Sequence, residues 1–115
     1  MTDEQLERRC REIFQSTPIV FRARRNVPLD SMIQNRIQHL GIKIPVVLIK
    51  SQLYLVGSQR VNLSIKRDQL VARTGAGYER FDDFVQNNHI CFQKQLVLAM
   101  MKSGDPLEAV VNQII

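Results

Sequence analysis

The spacing of hydrophobic and polar positions divides the chain into a helical start, a β-rich centre and a helical end. In the first zone, apolar residues recur every three or four positions, which predicts two amphipathic helices. The first is expected to have Thr2 as its N-cap and to end at residues 16–18. The second is expected to begin with Asp30 as its cap and to stop at Gly41. Residues 19–25, which lie between them, are expected to form an extended or irregular arm.

The central zone changes from a helical period to alternation. Short β-branched and alternating runs predict four strands, at residues 44–49, 53–57, 60–66 and 69–73. Strands this short, joined by tight turns, are typical of a small and strongly curved antiparallel sheet. Gly57 lies in one of these turns, and Gly75, Gly77 and Tyr78 lie in the turn that leaves the last predicted strand.

The helical period returns after that turn. We expect one helix from about Arg80 to Asn87-Asn88, a second from Phe92 to Met101, and a last helix capped by Asp105. The predicted fold is therefore α+β: a curved antiparallel sheet of about four strands with a packed helix, flanked by short N- and C-terminal helices. The corresponding divisions are an N-terminal helical arm (1–41), a central α+β module (42–91) and C-terminal helices (92–115).

Composition supports one globular domain. The chain has 115 residues, of which 44% are hydrophobic and 23% charged. Its charged start lacks the apolar core of a signal peptide, and no apolar run reaches the roughly 18 residues of a membrane span, so we expect a cytoplasmic protein without a membrane partner. With 16 basic and 11 acidic residues the net charge is +5, which favours an acidic partner such as nucleic acid or an acidic protein lattice. A basic surface that serves only solubility is the alternative.

Catalytic patterns are missing from the sequence. No serine or cysteine lies in a nucleophile-elbow context, and no H-E-x-x-H motif is present. Asp82 and Asp83 are interpreted as the solvated face of a helix. Gly75 and Gly77 lack the spacing of a phosphate-binding loop and are interpreted as a turn that needs a positive φ. The prediction is a protein that is not an enzyme and has no cofactor.

A metal site has only weak candidates. His89 and Cys91 resemble half of a zinc site, and His39 would supply a third ligand if the fold brought it close. The alternative, which we favour, is a small core residue at Cys91 and a surface residue at His89. We therefore predict no bound metal.

Basic residues fall into three groups along the chain. The first is on the N-terminal helix, the second on the arm, and the third around the last strand and the glycine turn. Few aromatic residues lie among them, so an electrostatic surface for an acidic protein fits as well as a nucleic-acid surface does. The groups are Arg8, Arg9 and Arg11; Arg22, Arg24 and Arg25; and Lys66, Arg67, Arg73 and Arg80.

Five short motifs follow one another between Ile44 and Cys91. They are Ile44-Pro45-Val46, Tyr54-Leu55-Val56-Gly57, Ala72-Arg73-Thr74-Gly75-Ala76-Gly77-Tyr78, Phe81-Asp82-Asp83-Phe84-Val85 and Asn88-His89-Ile90-Cys91. In this combination the segment resembles the GAR domain, the growth-arrest-specific-protein-related module of spectraplakins and their smaller relatives. Ala76 and Thr74 depart from that family's pattern, in which a glycine and a valine stand at these positions.

The resemblance implies a microtubule-binding, cytoskeletal protein, such as a stoichiometric component of a ciliary axoneme. We place the tubulin contacts on the basic residues of the centre (Lys66, Arg67, Arg73 and Arg80), which we expect to converge on one rim of the sheet. The basic residues of the arm (Arg22, Arg24 and Arg25) are the second choice. The family binds zinc partly through two cysteines ahead of the first strand, and this chain has no cysteine there. The alternative function is a basic nucleic-acid-binding or ribonucleoprotein subunit.

Overall fold

The computed structural model describes residues 2–16, 21–75 and 77–115, and within them the chain forms helices around one antiparallel sheet. Thr17, Pro18, Ile19, Val20 and Ala76, which carry parts of the predicted helix end, arm and turn, lie outside the described residues. The elements are α1 (Asp3–Ser16), α2 (Pro28–Leu40), β1 (Val46–Lys50), β2 (Leu53–Val56), β3 (Gln59–Lys66), β4 (Gln69–Thr74), β5 (Gly77–Arg80), α3 (Phe81–Ser103) and α4 (Leu107–Ile114).

The sheet is a meander in which each strand pairs with the next, in the order β1-β2-β3-β4-β5, and every pair is antiparallel. The α+β prediction is confirmed, with one strand more than expected. The additional strand is β5, where the sequence predicts a turn followed by the start of a helix near Arg80. Tyr78 pairs with Arg73 and Gly77 with Thr74, so the turn is shorter than its sequence suggested.

Two hydrophobic clusters share α3, one along its first half and one along its second half. The larger one packs α2 and the first half of α3 against one face of the sheet, with Tyr54, Leu63 and Phe81 fully buried at its centre. The smaller one joins α1, the second half of α3 and α4, through residues such as Phe14 and Leu96. Because α3 contributes to both clusters, it holds the terminal helices to the sheet.

The continuous α3 contradicts the prediction of two helices separated at Asn87-Asn88. Asn88 lies inside the helix, and its side-chain amide donates a hydrogen bond to the carbonyl of Phe84 at 2.7 Å. Buried Phe84 and Phe92, with ring centroids 5.8 Å apart, also tie the two predicted helices into one packed surface. The predicted division at residues 91/92 therefore falls inside an unbroken helix.

The helix ends follow their sequence signals only in part. Thr2 is confirmed as a cap: its hydroxyl accepts from the N–H of Gln5, and the Gln5 side chain accepts from the N–H of Thr2. The prediction for Asp30 is wrong, because α2 begins at Pro28 and the Asp30 side chain turns into the protein. Asp105 is also not a cap; its carboxylate accepts from Gln113, and Pro106 stands at the N-cap.

Candidate docking surface on the outer face of the sheet

One face of the sheet is basic. Alternation along β3 and β4 buries Val61, Leu63, Leu70 and Ala72 against the helices, so the residues between them lie on the opposite, outer face. The strand pairing from β2 to β5 shows which residues share this outer face. Within the described strands β2 to β5, the outer face carries four basic side chains and no carboxylate. The four are Arg60, Lys66, Arg73 and Arg80, and we call them the basic face.

Lys66 and Tyr78 meet on the basic face. The Lys66 Nζ lies 3.9 Å from the centroid of the Tyr78 ring, although the two residues are on strands separated by β4. Between them, Val71 of β4 lies on the same face and is buried. A cation over an aromatic face is attracted by the ring's quadrupole, so this contact holds the Lys66 side chain against the Tyr78 ring. Tyr78 remains 52% exposed.

Arg67 stands at the tip of the β3–β4 hairpin. Lys66 pairs with Gln69, so Arg67 and Asp68 form a two-residue loop, and both have positive φ (51° and 62°). This is the backbone pattern of a type I′ turn, which matches the twist of antiparallel strands. Arg67 therefore lies at the edge of the basic face, with Asp68 beside it.

Arg80 is ion-paired within its own chain. Its Nε donates to Asp83 Oδ2 at 3.0 Å and its second guanidinium nitrogen to Oδ1 at 3.4 Å. By contrast, Arg60, Lys66 and Arg73 have no salt bridge to any described residue. The basic face thus presents three uncompensated charges and one that is shared with a carboxylate.

The arm contains a buried ionic network instead of three equivalent cations. The Arg24 backbone N–H and Nε each donate to Asp30 Oδ2 at 2.8 Å, and the Tyr54 hydroxyl donates to the other carboxylate oxygen. Asp30 is fully buried, whereas the Arg24 side chain is 40% exposed. Arg24 therefore fastens the arm to α2 and β2, while Arg22 and Arg25 remain exposed.

The network shifts the titration of both acids. Burial raises the pKa of Tyr54 to about 12, and the hydrogen bond to the Asp30 carboxylate acts in the same direction. Burial alone would also raise the pKa of Asp30, but hydrogen bonds from Arg24 and Tyr54 outweigh it and hold that pKa below its ordinary value. Asp30 is therefore a carboxylate stabilised in the interior by donors from two other segments.

The glycine turns have structural roles. Gly57 has a φ of 66°, and a Cβ at this position would lie 2.5 Å from Phe92 side-chain atoms. Gly77 has a φ of 132° in open space, whereas Gly75 does not have a positive φ. The expectation that at least one glycine of the last turn has positive φ is confirmed at Gly77.

The zinc candidates are not brought together. Among the described residues, no three His, Cys, Asp or Glu side chains form a group that could hold a metal, so His39 does not complete a set with His89 and Cys91. His89 and Cys91 are two positions apart on α3, and side chains at that spacing point to different sides of a helix. His89 accepts a hydrogen bond from the Lys43 N–H at 3.2 Å, and burial lowers its pKa. Cys91 is exposed, in contrast to the small core residue that we favoured.

Two features were missed in the sequence analysis, one on the basic face and one in the arm. Arg60 could have been found, because the strict alternation of residues 60–66 already places it with Lys66, opposite Val61. The network of Asp30 had no local signal, since its partners lie 6 and 24 residues away.

Comparison with protein-family models, curated proteins and solved structures finds no match to this chain. In the part of the chain that the structure describes, none of the helices has the length and apolar character needed to cross a membrane.

Proposed function

We propose that this chain is a non-catalytic protein that docks on microtubules through the basic face of its sheet. The observation that carries the proposal is the gathering of Arg60, Lys66 and Arg73, with Arg80, on one side of the described strands without a carboxylate among them. The resemblance to the GAR domain supplies the identity of the acidic partner, and with it a cytoskeletal location such as an axoneme.

The physics of such a surface favours a large acidic partner. Each exposed ion pair is worth only about 0.2–1 kcal/mol, so a useful affinity needs several contacts at once. Clustered charges of one sign also raise the association rate by steering, and tubulin presents a strongly acidic surface. The opposite face of the sheet is covered by α2 and α3, so the basic face is the broad side of the sheet that a lattice can approach.

The test is co-sedimentation of purified protein with microtubules. The basic-face variant reverses Lys66, Arg73 and Arg80 to Glu, together with Arg67 at the edge of the basic face. It should bind much more weakly than any variant with a single reversal. A matched control reverses four exposed basic residues that lie outside the sheet: Arg8, Arg9 and Arg11 on α1, and Lys102 in the last turn of α3. Both variants should keep the parent's circular dichroism spectrum. If the basic-face variant is folded and sediments like the parent, or if the control loses as much binding, the basic face is not the site, and Arg22 and Arg25 become the next residues to reverse.

A nucleic-acid-binding function is the second candidate, and the exposed ring of Tyr78 beside Lys66 and Arg73 is the observation that favours it. Aromatic rings on basic surfaces stack single-stranded bases, at about 1–3 kcal/mol per base. Tyr78→Ala should therefore lower the affinity for single-stranded RNA, measured by gel shift, by about fivefold or more if this function holds, as about 1.4 kcal/mol is a factor of ten. Microtubule binding through charge alone should be little affected by the same substitution.

A further inference from the structure

Asp83 occupies one side of the Arg80 guanidinium, at the edge of the basic face. Its two carboxylate oxygens accept from two nitrogens of the Arg80 guanidinium, at 3.0 and 3.4 Å. Both side chains are largely accessible, Arg80 at 62% and Asp83 at 43% of their surface. The pair is therefore formed at the edge of the basic face and open to exchange with an outside carboxylate.

The adjacent aspartate has a different partner. Asp82 accepts from Arg36 Nε at 3.0 Å and from a second nitrogen of the same guanidinium, which ties α2 to the start of α3. The Asp82-Asp83 pair is thus more than a solvated helix face. The Asp82 salt bridge links α2 to α3, which are distant in the chain. The Asp83 salt bridge is made with a residue only three positions earlier, so it does not hold distant segments together.

We propose that Asp83 is an intramolecular competitor that limits the affinity of the basic face for its acidic partner, an inference that rests on the proposed function. Asp83 occupies the Nε side of the Arg80 guanidinium. A partner carboxylate must displace Asp83 to bind on that side, and on the remaining N–H groups it meets a charge that Asp83 already compensates, so part of the new contact is offset. Removal of the Asp83 carboxylate leaves Arg80 uncompensated, like Arg60, Lys66 and Arg73. The basic face then presents four available charges in place of three.

The experiment measures microtubule affinity for the parent and for Asp83→Asn by co-sedimentation at physiological salt. We expect the variant to bind about 1.4- to fivefold more tightly, the range that corresponds to one exposed ion pair. Asp83 also lies in the first turn of α3, where a negative charge stabilises the helix, so the same substitution should lower the melting temperature slightly. Tighter binding with lower stability is not expected from a purely structural role.

Two controls separate competition from net charge. Glu108→Gln makes the same change of charge on α4, which packs on the second half of α3, and at a screening length of about 8 Å it should leave affinity close to the parent's. In an Arg80→Gln background, Asp83→Asn should no longer raise affinity, because the released cation is absent.

The outcomes are distinguishable. If the parent binds microtubules but Asp83→Asn binds no more tightly than Glu108→Gln, or gains equally without Arg80, Asp83 is not a competitor and the proposed function stands. If the parent does not bind microtubules, the proposed function and this inference both fail.

Discussion

Removal of the buried Asp30 carboxylate should destabilise the protein more than any other single polar substitution considered above. Asp30 is fully buried and accepts hydrogen bonds from the Arg24 backbone, the Arg24 guanidinium and the Tyr54 hydroxyl. Asp30→Ala leaves the Tyr54 hydroxyl, which is equally buried, without its acceptor. It also leaves the Arg24 backbone N–H without a partner.

The expected loss in the free energy of unfolding depends on which buried polar groups each substitution leaves without a hydrogen-bond partner. A buried ion pair that loses one partner costs about 3–5 kcal/mol, and the partly exposed Arg24 can regain water, which places Asp30→Ala at roughly 2–4 kcal/mol. Tyr54→Phe removes one donor but keeps the Asp30–Arg24 pair, and should cost about 1–2 kcal/mol. Ser31→Ala, at the next and exposed position of α2, is the matched control and should change stability by less than about 0.5 kcal/mol.

The assay is urea unfolding, monitored by circular dichroism and repeated at a series of acidic pH values. The pKa of Asp30 is lower in the folded protein than in the unfolded chain, so the unfolded chain takes up its proton first as the pH falls. The stabilisation is thus complete above the unfolded pKa of about 3.9 and is lost as the pH falls through the folded value. Asp30→Asn should be less stable than the parent at pH 7 and should show a shallower loss of stability below pH of about 4. Equal free energies of unfolding for Asp30→Ala and Ser31→Ala would refute the role assigned to this network.

Three further substitutions test two glycine turns and the half-buried His89. Gly57→Ala should cost about 2–4 kcal/mol in urea unfolding, because it combines a positive φ with a Cβ 2.5 Å from buried Phe92 side-chain atoms; a cost below about 1 kcal/mol would mean that the Phe92 contact is easily relieved. Gly77→Val should cost about 1 kcal/mol or more from backbone strain alone, since no atom of the residues that the structure describes, apart from its chain neighbours, lies within 4 Å of a Cβ at this position; an unchanged melting temperature would contradict this. Burial lowers the pKa of His89, so the unfolded chain binds the proton first and stability should fall as the pH drops below about 6.5. His89→Gln, compared with the parent at several pH values, should flatten that dependence, and an identical slope would show that His89 does not cause it.

Local sequence signals determined most of the secondary structure. Thr2 and Gln5 form the capping pair expected of their spacing, and Gly41 and Gly104 follow the ends of α2 and α3. Alternation in residues 60–66 predicted both the strand and its buried face. These features depend on residues within a few positions of each other, so the sequence is sufficient to predict them.

Tertiary structure decided the features whose partners are distant. β5 has no run of alternating apolar residues, and it is a strand because β4 supplies its hydrogen-bonding partner. Asn87-Asn88 lies within a helix because hydrophobic residues on both sides of it pack into the two clusters that α3 joins. Asp30 carries the local pattern of a cap, yet Arg24 and Tyr54 make its burial favourable. The arginines and lysine of the basic face were visible in the sequence, but only the strand register shows which of them share a face and which one, Arg80, already has a carboxylate partner.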